Sequence, residues 1–234
     1  MNVKSTLAQI KSGLIVSAQA DDDEPLGKPE ILAALAKAAE LGGACAVRAC
    51  YPKNIVAIRN TVHLPVIGIY KKKYADSEVF IGATLADNLE IAETGCEIVA
   101  FDATQRSRPN DEKLENIIRA LKEKTDVLLM ADISTFNEGE RACDLGFDLI
   151  STTLSGYTSY TKTENEYKPD FMLLQKLVDK IGDQIPVIAE GRIWNPEDAR
   201  KLLELGAYAV VVGSAITRPT LITRRFLQEI QRSN

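Results

Sequence analysis

A lysine at the end of one apolar run and a glutamate at the end of another are the residues of this chain best suited to chemistry. VIGIY at 66–70 is followed by Lys71, and PVIAE at 186–190 closes on Glu190. A third ionic group, Arg48, lies inside the apolar run ACAVRA at 44–49. Charged groups beside buried runs are costly to desolvate without partners or a purpose. Together these three can perform acid/base chemistry on carbon: a base to remove a proton next to a carbonyl, an electrostatic partner for the enolate that develops, and a donor to return the proton. A lysine abstracts a proton only as the free amine, a form favoured by burial or a nearby cation and disfavoured by an adjacent carboxylate. Lys72 and Lys73 follow directly. A strand buried on both faces does not reveal by parity which of the three lysines points inward.

Residues for other chemistries are scarce. His63 is the single histidine, which leaves no material for a His-rich transition-metal site or a Ser-His-Asp triad. Cys45, Cys50, Cys96 and Cys143 contain no C-x-x-C pair and read as buried, reduced thiols. The formal charge of -5 from 28 basic and 33 acidic residues argues against a continuous nucleic-acid-binding surface. The start, MNVKSTLAQIKSG, lacks the apolar core of a signal peptide, and no run approaches the ~20 apolar residues of a membrane span. A cytoplasmic protein without membrane partners is expected.

The elements that must position these groups alternate short Val/Ile/Leu/Ala runs with longer amphipathic segments, the pattern of βα units around a parallel sheet. The runs are LIVSAQ at 14–19, ACAVRA at 44–49, VIGIY at 66–70, IVAFDA at 98–103, VLLMADI at 127–133, LISTTL at 149–154, PVIAEG at 186–191 and AVVVGS at 209–214. Between them lie helical segments such as PEILAALAKAAELGG, which begins with proline and ends in glycine, and NPEDARKLLELGA, with an Asn cap candidate and a closing Gly206. ELGGACAV, ETGCEIVA, DLGFDLIS and ELGAYAVV each place a glycine between a helix and the next strand. Eight such units over 234 residues predict one α/β domain spanning 1–234, a (β/α)8 TIM barrel of eight parallel strands.

In that barrel the active site lies at the C-terminal strand ends, where Ser17, Gln19, Arg48, Lys71, Asp102, Asp132, Thr152, Thr153, Glu190, Gly213 and Ser214 fall. Strands three and seven stand opposite each other in an eightfold ring, so Lys71 and Glu190 should face one another across the mouth. The loops after strands seven and eight form the usual phosphate cradle of the fold. Here they carry EGR at 190–192 and VGSAITRP at 212–219. Gly191 and Gly213 let backbone N–H groups approach an anion, Ser214 adds a hydroxyl, and Arg218 adds a charged contact.

With these residues in view, the chain resembles the N-acylglucosamine-6-phosphate 2-epimerases, bacterial sialic-acid catabolic enzymes that interconvert N-acetylmannosamine 6-phosphate and N-acetylglucosamine 6-phosphate. The resemblance runs through GLIVSAQA at 13–20, AVRA at 46–49, PVIGIYKKKY at 65–74, FDATQRSRP at 101–109, LMADIST at 129–135, TTLSGYT at 152–158, VIAEGRI at 187–193 and VVGSAITRP at 211–219. It implies Lys71 as the catalytic lysine and Glu190 as its carboxylate partner. It further implies that Gln19, Arg48 and Asp132 contact the sugar, that Gly191, Gly213, Ser214 and Arg218 surround the phosphate, and that no metal or organic cofactor takes part. The chain departs from the family at Ala18, where a cysteine is common, at Tyr70, and at Lys72-Lys73, where an Arg-Asp pair is common.

Two routes for C2 epimerisation stay open: Lys71 and Glu190 acting on opposite faces, or Lys71 both removing and returning the proton while Glu190 tunes its charge. A class I aldolase using Lys71 as a Schiff base, or a non-catalytic sugar-phosphate sensor, are the competing functions. The metal-binding histidines of ribulose-phosphate epimerases have no counterpart here. A homodimer is the expected assembly, although no apolar stripe in the sequence identifies its interface.

Overall fold

The computed structural model describes residues 3–20, 24–163 and 167–232. Every apolar run forms a strand: β1 Leu14–Ala18, β2 Ala46–Cys50, β3 Val66–Ile69, β4 Ile98–Asp102, β5 Leu128–Asp132, β6 Leu149–Ser151, β7 Val187–Glu190 and β8 Ala209–Val212. Each pairs in parallel with its sequence neighbours and β8 returns to β1, closing a (β/α)8 barrel. Apart from β2, which ends one residue beyond its run at Cys50, the strands stop one to three residues short of the runs read from the sequence. The largest difference is at β6, where 152–154 leave the ladder for a turn.

The helices are α1 Val3–Ile10, α2 Pro29–Leu41, α3 Pro52–Arg59, α4 Leu85–Ala92, α5 Leu114–Lys124, α6 Phe136–Asp144, α7 Phe171–Ile181, α8 Pro196–Glu204, α9 Ser214–Thr217 and α10 Pro219–Arg232. Their starts follow from local chemistry. Proline opens α2, α3 and α8, and reciprocal capping boxes start α4 (Thr84 with Asp87) and α6 (Thr135 with Glu138). Asn195 does stand at the N-cap of α8, but its amide donates to Asp198 and its side chain does not cap the helix. The recurring glycines before β2, β4, β6 and β8 are Gly43, Gly95, Gly146 and Gly206, with φ of 92°, 78°, 81° and 95°. These are left-handed turns that glycine makes at least cost.

Two apolar layers separate the faces of every strand. Ile15, Ala46, Ile67, Ile69, Ile98, Ala100, Leu128, Met130, Leu149, Ile188, Ala209 and Val211 fill the barrel interior, and α1 closes its N-terminal end through Ile10 and Leu7. The alternate residues, among them Val47, Val99, Leu129, Val187 and Val210, pack outward against the helices. Because side chains alternate along a strand, residues two positions beyond an interior residue point into the mouth. That step leads from Ile15 to Ser17 and on to Gln19, from Ala46 to Arg48, from Ile69 to Lys71, from Met130 to Asp132 and from Ile188 to Glu190. Lys72 and Lys73 are exposed, and the Lys72 ammonium sits 5.0 Å from the Tyr74 ring centroid.

The barrel departs from regularity at one place. β3 and β4 pair only at Ile67–Ile98 and Gly68–Val99. Beyond them a hairpin excursion over 71–81 folds back into the gap: Lys71 bridges Ile81 antiparallel, Lys72 N–H donates to the Phe80 carbonyl at 2.9 Å, and Gly82 N–H donates to the Tyr70 carbonyl at 2.8 Å. On its other side the returning arm accepts from β4, Asp102 N–H to the Ile81 carbonyl at 3.0 Å.

Gly68 faces outward from β3 at the closest approach of α3 and α4. A Cβ there would lie 2.6 Å from Ile91 Cγ2 and 3.0 Å from both Cys96 Sγ and Ile55 Cδ1. Gly68→Ala is therefore expected to destabilise the fold by about 1–3 kcal/mol through overpacking. Urea unfolding checks this, and an unchanged midpoint would contradict such close packing.

Candidate active site

A cavity of about 990 Å³ opens at the C-terminal end of the barrel. Lys71 lines it from beyond β3, Glu190 from β7 and Gln19 from beyond β1; Gly191, Gly213, Ser214 and Arg218 line it on the β7–β8 side. Seven of the nine residues that the family resemblance assigns to the site thus share one cavity. Arg48 and Asp132 are buried beneath it, at 1% and 0% exposure.

Those two residues form the floor. Arg48 grips Asp132 with both terminal nitrogens, at 3.0 Å to Oδ1 and 2.5 Å to Oδ2, and donates to Glu190 Oε2 at 2.6 Å. Thr153, beyond β6, lies 2.7 Å from Asp132 Oδ1 and 3.1 Å from Glu190 Oε2. The main chain of Glu190 is also fixed, since the Thr152 hydroxyl donates to its carbonyl at 2.9 Å and accepts from its N–H at 3.0 Å. Two carboxylates therefore share one guanidinium. Burial opposes the Arg48 charge, but Asp132 and Glu190 more than offset it and keep the guanidinium protonated. Burial raises the Glu190 carboxyl above the ordinary carboxylate range; Arg48 pulls it back, Asp132 adds to the rise, and the net shift is upward. A carboxyl tuned this way can hold or release a proton nearer neutrality.

Lys71 sits among constrained neighbours. Tyr51, directly after β2, has φ of 72°, a backbone state that residues with a side chain rarely adopt. Its ring meets that of Tyr70 edge-on at 5.9 Å, and its N–H donates to the Ile69 carbonyl at 3.0 Å. Burial pushes the Cys50 thiol up to about 11, so it stays protonated beside Lys71.

On the opposite side, Gly191 has φ of 104° and Gly213 precedes α9, of which Ser214 is the first residue. Thr217 of α9 donates to the Ser17 carbonyl at 2.7 Å, tying that turn to β1. Arg218 is ion-paired with Glu24 across the rim. Gln19 donates to Ser17 Oγ at 2.7 Å, while Gln19 Oε1 and Arg48 Nε are buried without a hydrogen-bond partner among the described residues. Orphaned buried polar atoms are uncommon outside binding sites. Phe80 and Ile81 on the Lys71 side, and Tyr157, Tyr167 and Trp194 on the β7 side, also line the cavity. They come from irregular segments whose sequence carries no periodic signal, so strand-end reasoning passed over them. Asp102, a polar strand end by the same reasoning, does not line the cavity.

Glu190 also carries a pH signature. Its folded-state proton affinity lies above that of the unfolded chain, whose ordinary value is 4.5. The associated stability is full below that value and is lost as pH rises through the higher folded value. Glu190→Gln keeps an acceptor for Arg48 and removes the surplus charge. Its stability should exceed the wild type by roughly 0.5–2 kcal/mol at pH 8, with the gap closing towards pH 4. Thermal denaturation at both pH values decides it; a less stable variant at pH 8 would contradict the charge surplus.

The chain was compared with known proteins on this basis. A family model described as "NanE: Putative N-acetylmannosamine-6-phosphate epimerase" matches residues 32–232. A protein of Clostridioides difficile (strain 630) named "Putative N-acetylmannosamine-6-phosphate 2-epimerase" is 49% identical over 225 residues, covering 96% of this chain and 99% of its own. One of the same name from Caldanaerobacter subterraneus subsp. tengcongensis is 50% identical over 226 residues, covering 96% and 94%. The solved structure of the N-acetylmannosamine-6-phosphate 2-epimerase from Clostridium perfringens superposes with a TM-score of 0.91 at 49% identity over 95% of each chain. A thiamine phosphate pyrophosphorylase from Pyrococcus furiosus, with a TM-score of 0.60 at 17% identity, shares the fold alone. A family match across most of the barrel, joined to near-complete overlap with relatives at half identity, establishes that this chain belongs to the NanE family of N-acetylmannosamine-6-phosphate epimerases.

Proposed function

We propose that this protein interconverts N-acetylmannosamine 6-phosphate and N-acetylglucosamine 6-phosphate by moving the proton at C2 of the open-chain sugar, a step of amino-sugar and sialic-acid catabolism. The observation that carries this reading is a lysine and a carboxylate, brought by strands β3 and β7 to one cavity of a NanE-family chain. Lys71, as the free amine, takes the C2 proton; the C–H electrons pass to the carbonyl and give an enolate. Return of a proton to the other face of C2 completes the inversion. Arg48 and Asp132 hold Glu190 in place and set its charge, and with Gln19 they contact the sugar, while Gly191, Gly213, Ser214 and Arg218 bind the phosphate. Fixing the phosphate keeps C2 within reach of the amine, a contribution of positioning.

Proton NMR of N-acetylmannosamine 6-phosphate with the protein in deuterium oxide, with chelator present, tests this directly. The gluco epimer should appear with deuterium at C2, and Lys71→Ala should lower the rate by at least about 10²-fold, the low end for a lost acid/base group. Conversion without deuterium would overturn the proton-transfer reading. Substrate cleavage, with trapping on Lys71 by borohydride, would select the aldolase chemistry, and binding without turnover the sensor.

The protein is further proposed to be a cytoplasmic homodimer. The four cysteines are unpaired thiols, as a reducing compartment favours, and among the described residues no helix is long and apolar enough to cross a membrane. α10 exposes Phe226, Leu227 and Ile230 at 69%, 50% and 63%, an apolar face that a second copy would cover. Light scattering should give twice the chain mass of 25.7 kDa, falling to the monomer in Phe226→Glu. A monomeric wild type would rule the dimer out.

A further inference from the structure

Beyond the end of β3, Lys71 opens the hairpin over 71–81, and that hairpin is tied to residues that do not line the cavity. Asp102 ends β4 at 0% exposure, yet its carboxylate is consumed by its own loop: Thr104 N–H at 2.9 Å, Thr104 hydroxyl at 2.7 Å and Arg106 at 2.5 Å. The Arg106 guanidinium spans from that carboxylate to the Glu78 carbonyl, at 3.2 Å, near the hairpin tip. Arg108, only 6% exposed, donates to the Gly82 carbonyl at 3.1 Å, the Ala83 carbonyl at 3.0 Å and the Asp102 carbonyl. Ser77, at the tip, donates to the Ser107 carbonyl at 2.7 Å. Tip, returning arm and root are thus all tied to 102–108.

We infer that the Asp102–Arg106–Arg108 cluster is the positioning unit for Lys71, setting how far its amine reaches into the cavity. Arg108 is buried and Arg106 largely so, charges that are costly to desolvate without close partners, and the partners they take are the carboxylate and carbonyls that fix the path of the arm facing Lys71. Ile81 stands opposite Lys71, held there by the Lys72–Phe80 and Gly82–Tyr70 main-chain bonds on either side, and its carbonyl accepts from Asp102 N–H. A shift of the cluster therefore moves Ile81, and with it the lysine backbone. None of the three residues lines the cavity, and the phosphate loops lie across the barrel on β7 and β8. The cluster acts on proton transfer and leaves substrate binding alone.

This inference rests on Lys71 as the base, so the wild type and Lys71→Ala are run in the same C2 deuterium-exchange assay. A displacement of about 1 Å at a reacting group costs on the order of 10²-fold in rate. Arg106→Met, shown folded at the assay temperature by circular dichroism, should lose about 10–100-fold in kcat with KM within about twofold of wild type. Arg106→Lys, which restores a cation beside Asp102, should recover part of that kcat. Should Arg106→Met not fold, Ser77→Ala removes the tip tether alone and should lower kcat several-fold at unchanged KM. A folded Arg106→Met with wild-type kcat overturns the inference, as does a loss carried by KM or, in the fallback, a fully active Ser77→Ala. In each of those cases an active wild type and inactive Lys71→Ala leave the proposed function standing. A wild type that does not exchange C2 removes both.

Discussion

One buried guanidinium gathers the carboxylates at the mouth of this barrel. Arg48, at 1% exposure, projects from the interior face of β2, and a charge buried to that degree is tolerated only with close partners of opposite sign. It finds them on β5 in Asp132 and on β7 in Glu190, with Thr153 beyond β6 bridging both carboxylates. One ion cluster thereby fixes the relative positions of side chains from four parts of the ring. Asp132 supplies the two-point grip, which leaves Glu190 the more loosely neutralised of the pair. Glu190 is consequently both positioned and raised in proton affinity, and it is the member of the cluster that lines the cavity.

The mouth has two halves of different construction. On the β7–β8 side the strands keep their register to the end, Glu190 pairing with Val211, and tight glycine turns follow. That half is suited to hold a small anion by backbone groups. On the β3–β4 side the ladder gives out after two residue pairs, and the hairpin arm at 80–82 takes the place of direct pairing. Lys71 is carried on that inserted piece. Lys71 thus sits where an inserted hairpin, held by main-chain bonds and side-chain ties, replaces strand pairing, while the loops after β7 and β8 follow regular ladder.

Much of this was legible in the chain. The eight apolar runs, the glycine before every second strand and the polar residues closing the runs all reflect constraints that act over a few residues: burial on both faces of a parallel strand, the left-handed turn that ends a helix, and the exposed C-terminal end of a strand. The strands, the four left-handed glycines and seven of the nine named site residues lie where those constraints put them. The family membership read from the same motifs agrees with the comparisons. Less legible was the pairing of Arg48 and Asp132: the strand-end rule places both at the mouth, and the structure buries them in one ion cluster with Glu190, which does line the cavity. Asp102 obeys the same rule yet serves its own loop, since Thr104 and Arg106 reach it first.

The sequence by itself determined the barrel, the order of its strands, and the stock of reactive groups available at their ends, because these depend on hydrophobic content, turn residues and chain order. Tertiary structure decided which face each strand turns inward, a choice that periodicity left open among Lys71, Lys72 and Lys73 and that only the family resemblance made from the sequence, and which of the buried charges pair. The physical reason is that both faces of a parallel strand are apolar, so alternation is invisible until the helices occupy one side and the barrel interior the other. Charge pairing, in turn, is set by distances of about 3 Å between residues as far apart in the chain as Arg48 and Glu190, and no local pattern carries that information.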